Sequence, residues 1–318
     1  MDGIGWPMPQ TIRTFKHEAF LPLRRLVDLK RMQRQKISLV VPARNEEGTI
    51  GDIITLARKE LHENNTLLDE IVVMDGGSTD ATVQRAAQAG ADVVEVESVA
   101  VEHHAPPGKG TALWKSLFVT KGDIVVCVDA DIRNFSERFI YGVLGPLLTN
   151  DAIVFVKGAY RRPLVLEGVA DENYGGRVTE ILVRPLLSAF YPALARLYQP
   201  LAGEYAFRRE AAERVPFFSG YGVEIGLVMD MYRLWGLEGF AQVDMGVRYH
   251  RNRSGVELGR MAFGIMRAVL RRLEDEGRAH FPEEPYNTMI SPGLSGWEDM
   301  PLIDVELPPV QRGVRGGE

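Results

Sequence analysis

The run Ile124-Val125-Val126-Cys127-Val128 ends in Asp129-Ala130-Asp131. A short apolar run closed by polar residues reads as a buried central strand. Successive side chains of a strand alternate faces, so Asp129 and Asp131 are expected to point the same way where the strand leaves the sheet. Two carboxylates there form a hard, oxygen-rich claw for Mg²⁺ or Mn²⁺, and such an ion in turn holds a diphosphate. A D-x-D triplet alone is a common accident and equally fits a solvated turn. The chain on its N-terminal side gives it context.

Three strand-then-loop units precede it. Ile37-Ser38-Leu39-Val40-Val41 runs into Pro42-Ala43-Arg44-Asn45-Glu46-Glu47-Gly48, with a helix expected over about 49–61. Ile71-Val72-Val73-Met74 runs into Asp75-Gly76-Gly77-Ser78-Thr79-Asp80, where Ser78 or Thr79 is placed to cap a helix reaching about Ala89. Val93-Val94-Glu95-Val96 leads to a long loop that closes in Pro106-Pro107-Gly108-Lys109-Gly110, and a helix follows over about 111–120. Short apolar strands alternating with helices imply a mostly parallel α/β sheet with right-handed crossovers. Ligands of such sheets bind outside the carboxyl ends of the strands, where each of these polar loops lies.

Composition narrows the field. A chain of 318 residues, 45% hydrophobic, buries a substantial core as one α/β domain or two lobes. Its net charge of −6 argues against general nucleic-acid binding. No apolar run is long enough to span a bilayer and no signal-peptide core is evident, so a soluble cytoplasmic protein is expected. The single cysteine, Cys127, reads as a buried inert thiol. Residues 14–36 read as a basic amphipathic helix that packs on its own domain or on a second subunit, a homodimer being expected, rather than inserting into a membrane. The expected division is an amphipathic helical extension over 1–36, two halves over 37–135 and 136–280, and a tail over 281–318 that wraps the surface or frays.

Further residues carry chemistry of their own. Lys109, between glycines at a helix start, reaches a phosphate or else marks a surface turn. His103 and His104, adjacent in an extended loop, point apart and read as solvated. Gly175-Gly176-Arg177-Val178-Thr179 opens a helical stretch interrupted by Pro185, a setting in which backbone N–H groups, a hydroxyl and a guanidinium converge on an anion. In the alternating stretch from Gln242, Val243, Met245, Val247 and Tyr249 share one face, which sets His250 with Asp244 and Arg248 on the other. Taken singly, His250 is a hydrogen-bonded structural histidine. An oxidoreductase would want G-x-G-x-x-G after the first strand, which Pro42 to Gly48 does not supply. A sugar nucleotidyltransferase, whose sheet pattern is similar, would want a glycine-rich, arginine-bearing loop there.

The loops P-A-R-N-E-E, D-G-G-S-T-D, P-G-K-G and D-A-D, in this order, resemble the nucleotide-sugar-binding half of a GT-A-fold glycosyltransferase. With Gly175 to Glu180, Gln199 to Tyr205, Gly220 to Gly226 and His250 to Arg253, the chain over about 37–275 resembles the retaining glucosyl-3-phosphoglycerate and mannosyl-3-phosphoglycerate synthases. The resemblance implies metal-dependent transfer of glucose or mannose from a UDP- or GDP-hexose to 3-phosphoglycerate. Asp131 would then bind the metal directly, Asp129 would bind it through water or hold the ribose, and His250 would be a third ligand. Pro42, Ala43, Arg44 and Glu46 would frame base and ribose, with Asp75, Gly76, Lys109 and Tyr221 completing the donor site. Glu224 would bind sugar hydroxyls, Gly175, Gly176, Arg177, Val178 and Thr179 the acceptor phosphate, and Asn252 the acceptor. Asn45 and Glu47 fit the donor loop or a turn and helix cap equally. Retention without an identifiable carboxylate nucleophile implies same-face attack, the leaving diphosphate taking the proton. Another acceptor, a nucleotidyltransferase or a non-catalytic sugar-nucleotide module stay as alternatives.

Overall fold

Each apolar run read as a strand forms one. In the computed structural model, which describes residues 11–162, 164–166, 169–171, 176–249, 254–282, 287–293 and 296–310, the chain begins with β1 (Arg13–Lys16), α1 (Leu23–Met32), β2 (Ile37–Ala43) and α2 (Ile50–Ala57). It continues through β3 (Glu70–Asp75), α3 (Thr82–Gln88), β4 (Asp92–Glu95), α4 (Lys109–Val119), β5 (Ile124–Cys127), α5 (Arg138–Thr149) and β6 (Phe155–Arg161). After a hairpin of β7 (Leu164–Leu166) and β8 (Val169–Asp171) come α6 (Arg184–Phe190), β9 (Tyr205–Arg208), α7 (Arg209–Ala212), β10 (Phe217–Phe218) and α8 (Val223–Trp235). The chain closes with β11 (Phe240–Val247), α9 (Gly255–Asp275), β12 (Thr288–Gly293), β13 (Gly296–Pro301) and β14 (Glu306–Leu307).

The principal sheet has the order β1-β11-β6-β9-β5-β2-β3-β4. Its neighbours are parallel except β9, which runs antiparallel to both β5 and β6. The mostly parallel GT-A arrangement expected from the loops is therefore present. Because β9 alone is reversed, its first residues lie at the edge where β2, β3, β5, β6 and β11 end. The sheet is buried on both faces, as parallel sheets are. Val125 and Cys127 of β5 pack among residues of α4, α8 and α9, whereas Ile124 and Val126 pack among residues of α1, α2 and α5.

Three local expectations need correction. Residues 14–36 do not form one helix: β1 lies parallel to β11, and the helix begins only at Leu23, after Pro22. A proline has no N–H to continue a helical ladder but suits the position before a first turn. The buried Leu26 and Val27 of α1 then pack on this domain's own core with residues of α5. Second, α3 is not capped by Ser78 or Thr79. The Asp80 carboxylate accepts from Thr82 N–H at 3.0 Å, while Ser78 Oγ accepts from Asn45 N–H and Thr79 N–H donates to Asn45 Oδ1. Third, Pro185 does not interrupt a helix, because it stands in the first turn of α6, which follows a wider turn at Thr179–Val183. The tail, expected to wrap the surface or fray, joins the domain: β14 pairs antiparallel with β10, and Leu307 and Val310 are buried in the core. Among the described residues, no helix is long and apolar enough to cross a membrane.

Burial pushes the Cys127 thiol up to about 12. A fully protonated thiol is a poor nucleophile. We therefore predict that a disulfide reagent at pH 8 leaves the folded protein unlabelled and titrates one thiol once denaturant is added. Stoichiometric labelling of the folded protein would contradict the assignment.

Candidate active site

The loops after β2 and β3 are tied into one ledge. Gly76 N–H donates to Ala43 O at 2.9 Å, joining two expected donor residues through their backbones. The buried Asp75 carboxylate accepts from Gly77 and Ser78 N–H, so it shapes its own loop. Asn45 and Glu47 serve as turn and cap residues, Glu47 accepting from Ala81 N–H at 3.1 Å. Glu46 N–H donates to Thr82 Oγ1 at 2.8 Å, Pro42 and Ala43 are the last two residues of β2, and Arg44 is exposed above the ledge.

The deeper part of the site is built from charge. Lys109, the first residue of α4, places Nζ 2.6 Å from Asp129 Oδ1 and 2.6 Å from Glu224 Oε1 in the first turn of α8. Burial alone would favour loss of its proton, but the two carboxylates outweigh burial and hold the ammonium above its ordinary range. Burial would likewise raise Asp129, and Lys109 and Arg248 reverse that, keeping it ionised. Gly203 permits the crowding, since a Cβ there would collide with the Asp129 carboxylate. Tyr221, on the loop before α8, is half-buried against the core.

Two residues of this centre, Arg248 and Glu204, are not among those expected from the sequence. Only 2% of the Arg248 side chain is exposed, and its Nη2 lies 3.0 Å from Asp129 Oδ2, 2.8 Å from Asp131 Oδ1 and 3.2 Å from Glu204 Oε1. The alternation read from Gln242 breaks at a bulge between Asp244 and Val247, where Gly246 has φ of 83°. The slip turns Tyr249 outward, 45% exposed, and Arg248 inward. A glycine within an alternating strand was the available signal. Glu204, just before β9, is fully buried and also takes the Tyr160 hydroxyl, to which Arg162 donates at 2.7 Å.

Asp129 and Asp131 lie beyond the last residue of β5, in a turn rather than on an alternating strand. They converge nonetheless, because one guanidinium nitrogen touches both. Hard oxygen donors converging on one point suit Mg²⁺ or Mn²⁺. Among the described residues, no three His, Cys, Asp or Glu side chains are grouped to hold a metal ion. His250, the expected third ligand, lies outside the described residues, as do Asn252 and Gly175.

The expected acceptor segment stands beside this centre. Gly176, with φ of 85°, leads into Arg177, Val178 and Thr179, of which Val178 and Thr179 are buried, and Glu180 N–H donates to Gly176 O at 3.1 Å. Gln199 links the two regions: it packs near Gly176, and its Nε2 donates to Tyr160 O at 3.4 Å.

Comparison with known proteins identifies the family. Residues 38–197 match the family described as glycosyl transferase family 2. The glucosyl-3-phosphoglycerate synthase of Petrotoga mobilis is 47% identical over 266 residues, covering 84% of this chain and 82% of that protein. The crystal structure of mannosyl-3-phosphoglycerate synthase from Rubrobacter xylanophilus matches with a TM-score of 0.83 and 38% identity, over 93% of this chain and 94% of that one. Glucosyl-3-phosphoglycerate synthase from Mycobacterium tuberculosis, in complex with Mn²⁺, UDP-glucose and phosphoglyceric acid, matches with a TM-score of 0.82 and 40% identity, over 94% of this chain and 97% of that one. Strand order, the loops at one sheet edge and these similarities agree: the chain belongs to glycosyl transferase family 2 and, within it, to the glucosyl-3-phosphoglycerate and mannosyl-3-phosphoglycerate synthases, glycosyltransferases of GT-A fold.

Proposed function

We propose that this enzyme moves glucose from UDP-glucose to the hydroxyl of 3-phosphoglycerate with retention at the anomeric carbon, releasing UDP. The observation that carries this reading is the Lys109 ammonium held between Asp129 and Glu224, beside Asp131, at the carboxyl end of β5. In the proposed complex Lys109 turns toward a donor phosphate, Glu224 accepts sugar hydroxyls, and Tyr221 borders the sugar. A divalent ion held by Asp131, Asp129 and His250 would supply neutralisation of the leaving diphosphate. Arg177, Thr179 and the helix-start N–H groups from Gly175 to Val178 hold the acceptor phosphate, with Asn252 against the acceptor. Pro42, Ala43, Arg44, Glu46, Asp75 and Gly76 form the base and ribose ledge.

A double displacement needs a free carboxylate nucleophile. Asp129, Asp131, Glu204 and Glu224 are each engaged by Lys109 or Arg248, so we favour same-face attack. The C1–O bond to the diphosphate breaks, the acceptor oxygen bonds C1, and its proton passes to the departing diphosphate. The likeness to a mannosyl-3-phosphoglycerate synthase favours a second reading with GDP-mannose as donor.

The test is release of nucleoside diphosphate with each donor, Mn²⁺ and 3-phosphoglycerate. Acceptor-dependent UDP release from UDP-glucose, abolished by a chelator, is the expected result. Release from GDP-mannose alone would select the second reading, and acceptor-independent release would remove both. Arg177→Ala should cut kcat/KM for 3-phosphoglycerate about 100-fold, on the order of 3 kcal/mol for a lost charged contact, and leave UDP binding intact. An unchanged acceptor dependence would move the phosphate site elsewhere. Arg248→Ala strands the buried Glu204 carboxylate, so urea unfolding should register a loss of about 3–5 kcal/mol. Adding Glu204→Gln to that variant should recover part of the loss; strict additivity of the two substitutions would mean that they do not interact.

A further inference from the structure

The loop joining β10 to α8 carries Tyr221 and opens onto Glu224, and the C-terminal segment holds it from outside. Ser219 N–H donates to Val305 O at 2.9 Å, and Val305 N–H donates to Ser219 Oγ at 3.0 Å. Asp304 Oδ1 accepts twice, from Ser219 Oγ at 2.9 Å and from Gly220 N–H at 2.8 Å. Glu306, which follows, lies 2.8 Å from Arg272, whose Nη2 also pairs with Asp230 of α8 at 2.7 Å. Further along, Pro308 O accepts from the indole N–H of Trp114 in α4 at 2.7 Å.

On its inner side the same loop presses on the glycines around Lys109. Thr111 N–H donates to Ser219 O at 3.0 Å, and a Cβ at Gly108 or Gly110 would run into the carbonyls of Ser219 or Phe218. Tail, loop and the start of α4 are thus layered, and the Lys109–Glu224 pair bridges the inner two. The loop itself contains Gly220 and Gly222, which add no stiffness of their own. The tail supplies its outer anchor, and hydrogen bonds to a carboxylate are the stronger kind.

We infer that Asp304 is a positioning residue for the donor site: through Ser219 and Gly220 it fixes the loop before α8, so that Glu224 and Lys109 meet the nucleotide sugar together. Asp304 touches neither Lys109 nor Glu224 among its hydrogen bonds, and its effect passes through the backbone of residues 219–220. The inference rests on the reading that Lys109 and Glu224 hold the donor. A purely structural latch would lower stability without favouring either substrate.

The experiment compares Asp304→Ala, Asp304→Asn and Ser219→Ala in the full chain, reading KM for UDP-glucose, KM for 3-phosphoglycerate and calorimetric affinity for UDP with Mn²⁺. Asp304→Ala should raise the donor KM about tenfold and weaken UDP, while the acceptor KM stays within about twofold. Asp304→Asn, which keeps an oxygen to accept both bonds, should restore the donor KM. Ser219→Ala, which removes the hydroxyl relay and spares the backbone bonds, should fall between. Unchanged donor KM in Asp304→Ala, an equal rise for both substrates, or an Asp304→Asn variant as impaired as the alanine would overturn the inference. If Asp304→Ala does not fold, an unaltered donor KM in Ser219→Ala overturns it. A wild type that binds UDP but transfers no sugar would sink the proposed reaction instead, and the positioning role would then stand or fall on the UDP affinities.

Discussion

Everything in this molecule turns on holding carboxylates out of water at one edge of a sheet. Removing an ion from water costs several kcal/mol even after relaxation, and the cost is met only when counter-charges sit in good geometry. Here Lys109 serves Asp129 and Glu224, while Arg248 serves Asp129, Asp131 and Glu204. The two cations are not interchangeable. A lysine buried with no carboxylate in contact holds its proton less firmly, as Lys157 illustrates: on β6, donating to Ala202 O at 2.6 Å with the Tyr205 ring 4.5 Å away, it is pushed by burial down to about 7. A guanidinium stays charged in the same surroundings, which suits the position where three carboxylates meet.

The reversed strand β9 makes this meeting feasible. With β9 antiparallel between β5 and β6, the residues just before it, Gly203 and Glu204, arrive at the edge where the parallel strands end. A parallel strand there would deliver its carboxyl end instead, and Glu204 would sit at the opposite edge. Gly203 then lets the backbone pass against Asp129, and Glu204 reaches under the turn to Arg248. The charged centre is a product of topology as much as of any single motif.

That explains what could be read from the sequence and what could not. Loops that follow apolar runs were legible, because a strand, a glycine-bearing turn and a helix start are all local signals. Such signals reach Lys109 and the loops from Pro42 to Gly76, and they bring Asp129 and Asp131 to the end of β5, though in a turn and not on the strand. Arg248 was not legible, because a one-residue bulge exchanges inside for outside, and a period-two reading carries no trace of it except Gly246. Glu204 carries no such signal, since nothing local tells a buried carboxylate from a solvated one. The N-terminal strand is equally silent in the sequence: Arg13 to Lys16 is a four-residue edge strand whose partner, β11, lies more than two hundred residues away.

The same charge constraint bears on how a nucleotide sugar enters. Among the described residues, four carboxylates, Asp129, Asp131, Glu204 and Glu224, share two contacting cations, Lys109 and Arg248. A diphosphate is itself an anion, and at a few ångströms in a partly buried setting like-charge repulsion amounts to about 4 kcal/mol per pair of unit charges. The donor therefore enters favourably only with a compensating cation, or when Lys109 and Arg248 are shared between carboxylates and phosphate. A site charged in this way binds a metal and a nucleotide diphosphate together better than it binds the nucleotide alone, which makes metal dependence a consequence of the protein's own charge arrangement and not only of the chemistry of the leaving group.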